Sequence, residues 1–551
     1  MGIGIQDSLV WSEPIRVKTR FGEKWVRSWE IPVHFVAGFF VFWNKNKDIL
    51  TGKGYSIGKT PQNTWKLSEW HSEKKEFRQI FGKDNIHKHE TGKKVIDETP
   101  LETYVVKNIS GLRDWQIPIV GKLCSVLEKY GAALDGSETG AGKTYAAVAT
   151  ARELGLNVAV VCPKAVITPW NKVITTHFGL KSIFVLNYES VKTGKYKNIG
   201  EWKNVNRTSS KKKFVWNIPS DTLLIFDESH KLKGNGTKNS EIAIAAKNQG
   251  YPILCCSATN AINPMQLKAV GYILGLYKSG SWMAYLREHG CEQGRFGWEF
   301  SGDKQILSKL HNDIFVKRGV RLKKIDIPDF PKNEIIAEAY DIGEASEKEI
   351  KRVYAEMDVE LATLKKKSKA TKEWKINAMT IQMRALQTSE LLKVPVFVEM
   401  AEDSIESGMS AVIFCNFSDT IKALSKRLNT ACIIWGDNKN QLERDKNIED
   451  FQTDKSRIIL VNIKAGGTGL SLHQLDSKFP RISIISPTFS AMDLVQVLGR
   501  IHRSGSKSMA LQKIVYAAGT VEENVCDNLQ SKLDNLSIIN DNDLSPSPIF
   551  D

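Results

Sequence analysis

Residues 132–144 read AALDGSETGAGKT, and this stretch decides how the rest of the chain is read. Ala132–Ala133–Leu134 is a short apolar run of the strand type, and TYAAVATARELG, from Thr144, continues with helical character. Between them Ser137–Thr144 has the spacing of a phosphate-binding loop, with Ser137 where the strict pattern carries glycine. Gly140 and Gly142 let backbone N–H groups turn inward around phosphate oxygens, with Thr139 and Ala141 between them. Lys143 supplies a compact cation for the β and γ oxygens, and the Thr144 hydroxyl is the expected ligand for magnesium. A strand, loop and helix in this order put the anion at a helix N-terminus, where unpaired N–H groups favour it.

Downstream, short apolar runs alternate with amphipathic helical stretches, the signature of parallel α/β construction. The runs are 157–162 (NVAVVC), 182–186 (SIFVL), 222–226 (TLLIF) and 252–256 (PILCC), and a second series follows at 410–414, 431–435, 457–461 and 481–485. In parallel sheets, ligand sites gather at the carboxyl ends of strands. TLLIF runs directly into Asp227–Glu228–Ser229–His230. An acidic pair there completes the phosphate chemistry: Asp227 binds magnesium through water, and Glu228 orients and deprotonates the attacking water.

With these residues in place the chain resembles the superfamily 2 helicases, whose further segments occur here in the family's order. LRDWQ puts Gln116 where the family reads adenine, VVCPKAVITPW (160–170) with Lys164 resembles the segment that follows one nucleic-acid strand, and NYES with Asn187 resembles the next. Ser257–Ala258–Thr259 matches the motif that couples the lobes. KAGGTGLSL (464–472) is similar to the strand-contacting and ATP-linked motif, implying roles for Thr468 and Gly469. QVLGRIHR (496–503) resembles the arginine-finger motif, with Gln496 in coupling and Arg500 and Arg503 supplying charge to the transferred phosphoryl group when the lobes close. The resemblance implies two RecA-like parallel-sheet lobes, ATP and magnesium as cofactors, and catalysis by Lys143, Glu228, Arg500 and Arg503.

Three segments resemble the SWI/SNF-like branch: DESHKLKGNGTKNS (227–240), FVKRGVRLKKIDIPDFPKNE (315–334), and GTVEEN (519–524) with Lys532. Three features depart from it. Ser257–Ala258–Thr259 replaces the branch's Gly–Thr–Pro, Gly499 is an added glycine, and RSGSK (503–507) lacks the usual glutamine. The first two lean toward strand-separating helicases.

The 551 residues carry 77 Lys and Arg against 62 Asp and Glu, a formal charge of +15 that favours a polyanionic partner through counterion release. The eight cysteines are scattered without a CxxC pair, as reduced core thiols are, which implies an intracellular compartment and no structural zinc. His87 and His89 form a lone HxH that reads as a solvated loop. The N-terminus lacks the apolar core of a signal peptide, and the apolar run 33–43 (VHFVAGFFVFW) is about half a membrane span, so it reads as a buried strand or hairpin edge.

The expected organisation is an N-terminal accessory domain at 1–105, a first RecA-like lobe at 106–330, a helical Lys-rich insertion at 331–392, a second lobe at 393–535 and a disordered tail at 536–551. The accessory domain holds six of the fourteen tryptophans (Trp11, Trp25, Trp29, Trp43, Trp65, Trp70), which read as core filling in a strand-rich unit. A basic loop at 207–213 interrupts the first lobe. The insertion, with Lys365 and Lys372, is expected to contact nucleic acid from its place between the lobes. The leading expectation is an ATP-driven translocase on duplex DNA. Its rivals are a strand-separating DNA or RNA helicase and a non-catalytic ATP-switched binding module. The compact size fits a bacteriophage or viral motor.

Overall fold

The computed structural model describes residues 15–19, 22–31, 55–59 and 65–71, and 101–550 apart from 205–211, 235, 295–296, 368–371, 437–440, 467–469, 476, 521 and 545–548. The apolar run 33–43 and the histidines His87 and His89 lie outside the described residues. So do most of the basic loop 207–213, Thr468 and Gly469, and the side chains of Lys365 and Lys372. The chain divides into two compact units, Met1–Pro100 and Leu101–Asp551. In the first, β1 (Ile15–Thr19), β2 (Gly22–Ile31), β3 (Tyr55–Lys59) and β4 (Trp65–His71) form an antiparallel sheet in the order β1-β2-β4-β3.

The second unit is built on two six-stranded parallel sheets, an α/β architecture of two RecA-like lobes. Its first lobe contains β5 (Ala132–Asp135), β6 (Asn157–Cys162) and β7 (Ser182–Asn187). A hairpin of β8 (Gly200–Asn204) and β9 (Lys212–Trp216) follows, then β10 (Thr222–Asp227) and β11 (Ile253–Cys256). A second hairpin, β12 (Cys291–Gly294) with β13 (Gly297–Phe300), precedes the short β14 (Gly319–Val320). The parallel sheet runs β14-β5-β11-β10-β6-β7. Its central strands are covered on both faces, so β10 and β11 read as unbroken apolar runs instead of alternating ones.

The second lobe holds β15 (Asn333–Tyr340), β16 (Ser410–Cys415), β17 (Ile433–Ile434), β18 (Ile458–Asn462), β19 (Arg481–Ile485) and β20 (Ala510–Ala517), in the order β15-β20-β19-β16-β18-β17. β15 corrects the reading of 331–392 as helical throughout, since 333–340 pairs in parallel with the whole of β20. Ile335 and Ala337 pack on the second-lobe core while Glu334 and Glu338 stay outside, and Ile336, apolar in the same alternating set as the glutamates, hides the period of two in the sequence. The segment also holds the helices Glu344–Lys367 and Lys372–Leu392, packed on each other.

The tail reading is corrected as well. The helix Glu522–Asp541 runs six residues past the expected boundary at 535. Its earlier turns set Cys526, Leu529 and Leu533 into the second-lobe core, and its end sets Ile538 and Ile539 into that of the first. Burying these two isoleucines offsets the ordering cost that polar neighbours alone would not meet. Ile549 and Phe550 also dock, both backbone N–H groups donating to Gln530 Oε1 at 2.8 and 3.3 Å. Among the described residues no helix is long and apolar enough to cross a membrane, and all eight cysteines are buried free thiols.

Candidate functional site

The phosphate loop leaves the end of β5 and is braced from the side by the chain that follows β14. Gly136 N–H donates to Val320 O at 2.9 Å and Glu138 N–H to Leu322 O at 3.0 Å, so the parallel ladder continues into the loop. This explains Ser137, whose buried hydroxyl accepts from Leu322 N–H at 3.2 Å, a bond glycine cannot make. Gly140 and Gly142 have φ of +84° and +89°, the left-handed region that glycine enters without steric cost. Lys143, the first residue of the helix Lys143–Glu153, donates to the carbonyls of Ser137 and Glu138 at 2.7 and 2.9 Å. Burial pulls its pKa down, and Asp135, Glu228 and Asp227 oppose that shift. Gln116 is buried at the mouth of the loop. Its Oε1 accepts from Arg113 N–H at 2.9 Å and its Nε2 donates to Gly142 O at 3.3 Å.

Asp227 and Glu228 stand at the carboxyl end of β10, one sheet position from the loop's strand pair. Trp170 Nε1–H donates to Asp227 Oδ2 at 2.8 Å and Glu228 N–H to Oδ1 at 3.0 Å. Burial and the adjacent carboxylate nevertheless push Asp227 above the usual carboxylate range. Glu228 is held below the usual carboxylate range; its burial is outweighed by His230, Lys143 and Arg500. Glu228 has φ +52°, a conformation that costs a non-glycine residue on the order of 1–3 kcal/mol. That turn aims its carboxylate across the cleft. His230 Nδ1 lies 3.2 Å from Glu228 Oε2 and 3.1 Å from Ser257 Oγ, linking the acidic pair to the segment after β11. Ser257 and Thr259 are both fully buried.

The second lobe closes the cleft with the helix Ala491–Leu498 and the turn after it. Gln496 Nε2 donates to Glu228 Oε2 at 3.1 Å, and its Oε1 accepts from Arg500. Arg500 also donates to Leu470 O at 3.3 Å. Arg503 donates to Gly499 O at 3.0 Å and Ser471 Oγ at 2.8 Å, and its side chain packs on Gly140. Burial lowers Arg500 to about 9, with Arg503 adding repulsion, and lowers Arg503 to about 10, while Glu228 pulls both upward. A buried and a half-buried guanidinium facing a carboxylate form a site that gains by taking an anion. The cleft, about 480 Å³, is lined by Gln116, Thr139–Tyr145, Trp170, Asp227, Glu228, Gln496, Arg500 and Arg503.

The structure thus brings together, from both lobes, the residues singled out for nucleotide chemistry, with Gly469 outside the described set. Thr144 and Asp227 both border the cleft. A hydroxyl and a carboxylate, completed by water, are the hard oxygen donors that magnesium takes. Lys164 and Asn187, expected from sequence to follow a nucleic-acid strand, do not line this cleft. Lys164 is exposed after β6. Asn187 caps the helix Tyr188–Lys192, its side-chain oxygen accepting from Ser190 N–H at 2.8 Å. Trp170 and His230 were not singled out from sequence, although both stand inside quoted motifs. A buried indole N–H obliged to find an acceptor is the signal that would have marked Trp170.

Residues 390–505 match the family described as the helicase conserved C-terminal domain. The chain is 31% identical to a putative ATP-dependent RNA helicase, L364, of Acanthamoeba polyphaga mimivirus, over 84% of this chain and 89% of that one. It is 23% identical to SWI/SNF-related matrix-associated actin-dependent regulator of chromatin subfamily A-like protein 1 of Drosophila melanogaster and to its Caenorhabditis elegans homolog, over 87% and 74% of this chain. It spans 64% and 59% of those two relatives. Among solved structures, Saccharomyces cerevisiae Dbp5 bound to RNA and ADP BeF3 matches at 12% identity, with a TM-score of 0.43, over 76% of this chain and 87% of that one.

Proposed function

The chain belongs to helicase superfamily 2, with SWI/SNF-like relatives, and is an ATP-hydrolysing nucleic-acid motor; from that premise we propose that it translocates on duplex DNA. The observation that carries the proposal is the pairing of Gln496 with Glu228 across the cleft, because it makes the hydrolytic carboxylate answer to the position of the second lobe. Lys143 and the loop N–H groups bind the phosphates, Thr144 and Asp227 would hold magnesium, and Glu228 takes the proton of the attacking water. Bound there, magnesium would supply charge neutralisation to the phosphates. Arg500 and Arg503 are the cations that meet charge on the γ-phosphoryl group once the lobes are together. Each turnover that opens and closes the lobes shifts their grip on a backbone.

Preference for duplex DNA is supported by the SWI/SNF-like segments at 227–240, 315–334 and 519–524, and by relatives of that kind along most of the chain. The second reading, strand separation on RNA, is favoured by the printed name of the mimivirus relative and by Ser257–Ala258–Thr259. Steady-state ATP hydrolysis with duplex DNA, single-stranded DNA and RNA, alongside Lys143→Ala, tests both. Duplex stimulation with triplex displacement and no strand release is the expected result. Release of a strand from a forked duplex, or stimulation by RNA alone, rejects the translocase reading. Turnover that persists in Lys143→Ala rejects the site.

A further inference from the structure

The segment Arg318–Lys324, part of the arginine-rich stretch at 315–334, does more than brace the phosphate loop. Arg321 Nη1 donates to Gly136 O at 2.6 Å, at the base of that loop. Its Nε and Nη2 donate to the two carboxylate oxygens of Asp541, each at 2.8 Å, and Nη2 lies 3.7 Å from Glu138. Asp541 is the last residue of the helix Glu522–Asp541, whose first half belongs to the second-lobe core. Its neighbour Asn540 donates to Ala258 O at 3.0 Å, inside the Ser257–Ala258–Thr259 segment. The end of this helix therefore touches the carboxyl ends of two adjacent strands, β5 and β11, through one arginine and one amide. Arg321 and Asp541 side chains are only 10% and 14% exposed, so little water competes for the fork.

We propose that Arg321 is a positioning residue that carries second-lobe movement to the phosphate loop from behind, through Asp541 on one side and the Gly136 carbonyl on the other. The front of the cleft already senses the lobe through Gln496, Arg500 and Arg503; this path reaches the loop's backbone without touching nucleotide. Only arginine has a planar fork that holds a carboxylate with two donors and still offers a third to a carbonyl, whereas lysine is a single point donor. The inference rests on the reading of the cleft as the site of nucleic-acid-stimulated ATP turnover.

The test uses the full chain and measures ATP turnover with and without saturating duplex DNA, and with poly(U) RNA, in the unmodified protein, Asp541→Asn, Arg321→Lys and the double variant. Asp541→Asn keeps the shape of the helix end, and Arg321→Lys keeps the charge. Each is expected to lower stimulated kcat about tenfold, the usual size of a coupling between two sites, while unstimulated kcat and ATP KM stay within about twofold. The double variant is expected to be no worse than the poorer single one, because both break one link. Full stimulation in both single variants, additive losses, or losses that fall equally on stimulated and unstimulated turnover overturn the relay. Lack of turnover in the unmodified protein instead overturns the functional reading, and with it the relay.

Discussion

Gly499, in the turn after the second-lobe helix Ala491–Leu498, backs onto Thr139 of the phosphate loop so closely that a β-carbon there would fall 2.1 Å from Thr139 Oγ1 and 2.6 Å from its Cβ. Its φ is −83°, so the glycine is required for space and not for backbone freedom. Gly499→Ala is expected to keep the lobes from seating and lower stimulated turnover about ten- to a hundredfold, as displacement of reacting groups by an ångström does. ATP affinity, a property of the first lobe, should change little. A matched pair of kcat and KM measurements checks this, and Thr139→Gly in the same chain should restore part of the loss. Ordinary turnover in Gly499→Ala would mean that the contact is not made in the working enzyme.

Glu228 accepts from Gln496 and is held as an anion by His230, Lys143 and Arg500. Glu228→Gln preserves shape and leaves the loop untouched, but removes the base. Binding of a fluorescent ATP analogue is expected to stay within about threefold, and phosphate release to fall at least about a hundredfold, the scale of a lost general base. Loss of nucleotide binding would instead give Glu228 a structural role.

How much of this could be read in advance follows from the range of the interactions. The loop at 137–144 and the acidic pair after TLLIF are local patterns, and each sits where a parallel sheet puts its strand ends. Ser137 and Gly499 stood out as departures from pattern, but their reasons lie at Leu322 and Thr139, far along the chain. β15 escaped notice because Ile336 puts an apolar residue where the alternation asks for a polar one, and the order of 536–541 depends on isoleucines docking in a lobe some two hundred residues earlier. Partners so distant in sequence leave no periodic mark.

Lys393 and Glu522 form a fully buried ion pair at 2.9 Å. Lys393 also donates to Val515 O at 3.2 Å, and Glu522 accepts from Ala517 N–H at 2.8 Å, fixing the start of the bridging helix to the second lobe. Lys393→Met strands a buried carboxylate and is expected to cost about 3–5 kcal/mol. Lys393→Met with Glu522→Gln removes the orphaned charge and should recover most of it. Denaturant unfolding of the parent, the single and the double variant measures the difference; equal losses in single and double would show that the pair's charge is not what matters.

His502 links the lobes. Its Nε2 lies 2.8 Å from Pro331 O and its Nδ1 lies 3.1 Å from Lys324 Nζ, so the neutral ring donates to the carbonyl and accepts from the ammonium. Burial lowers its pKa to about 4 from 6.5, and Lys324 adds repulsion. A base with a folded pKa below its unfolded value binds fewer protons when folded. Its neutral form therefore contributes in full above pH 6.5, and stability is lost as pH falls from 6.5 toward 4. Tm is expected to drop by on the order of a few degrees across that window. His502→Gln keeps one donor and one acceptor but cannot titrate, so its Tm should fall less steeply. His473, also lowered to about 4 by burial, leaves a residual slope. Parallel curves for the parent and His502→Gln would place the acid sensitivity elsewhere.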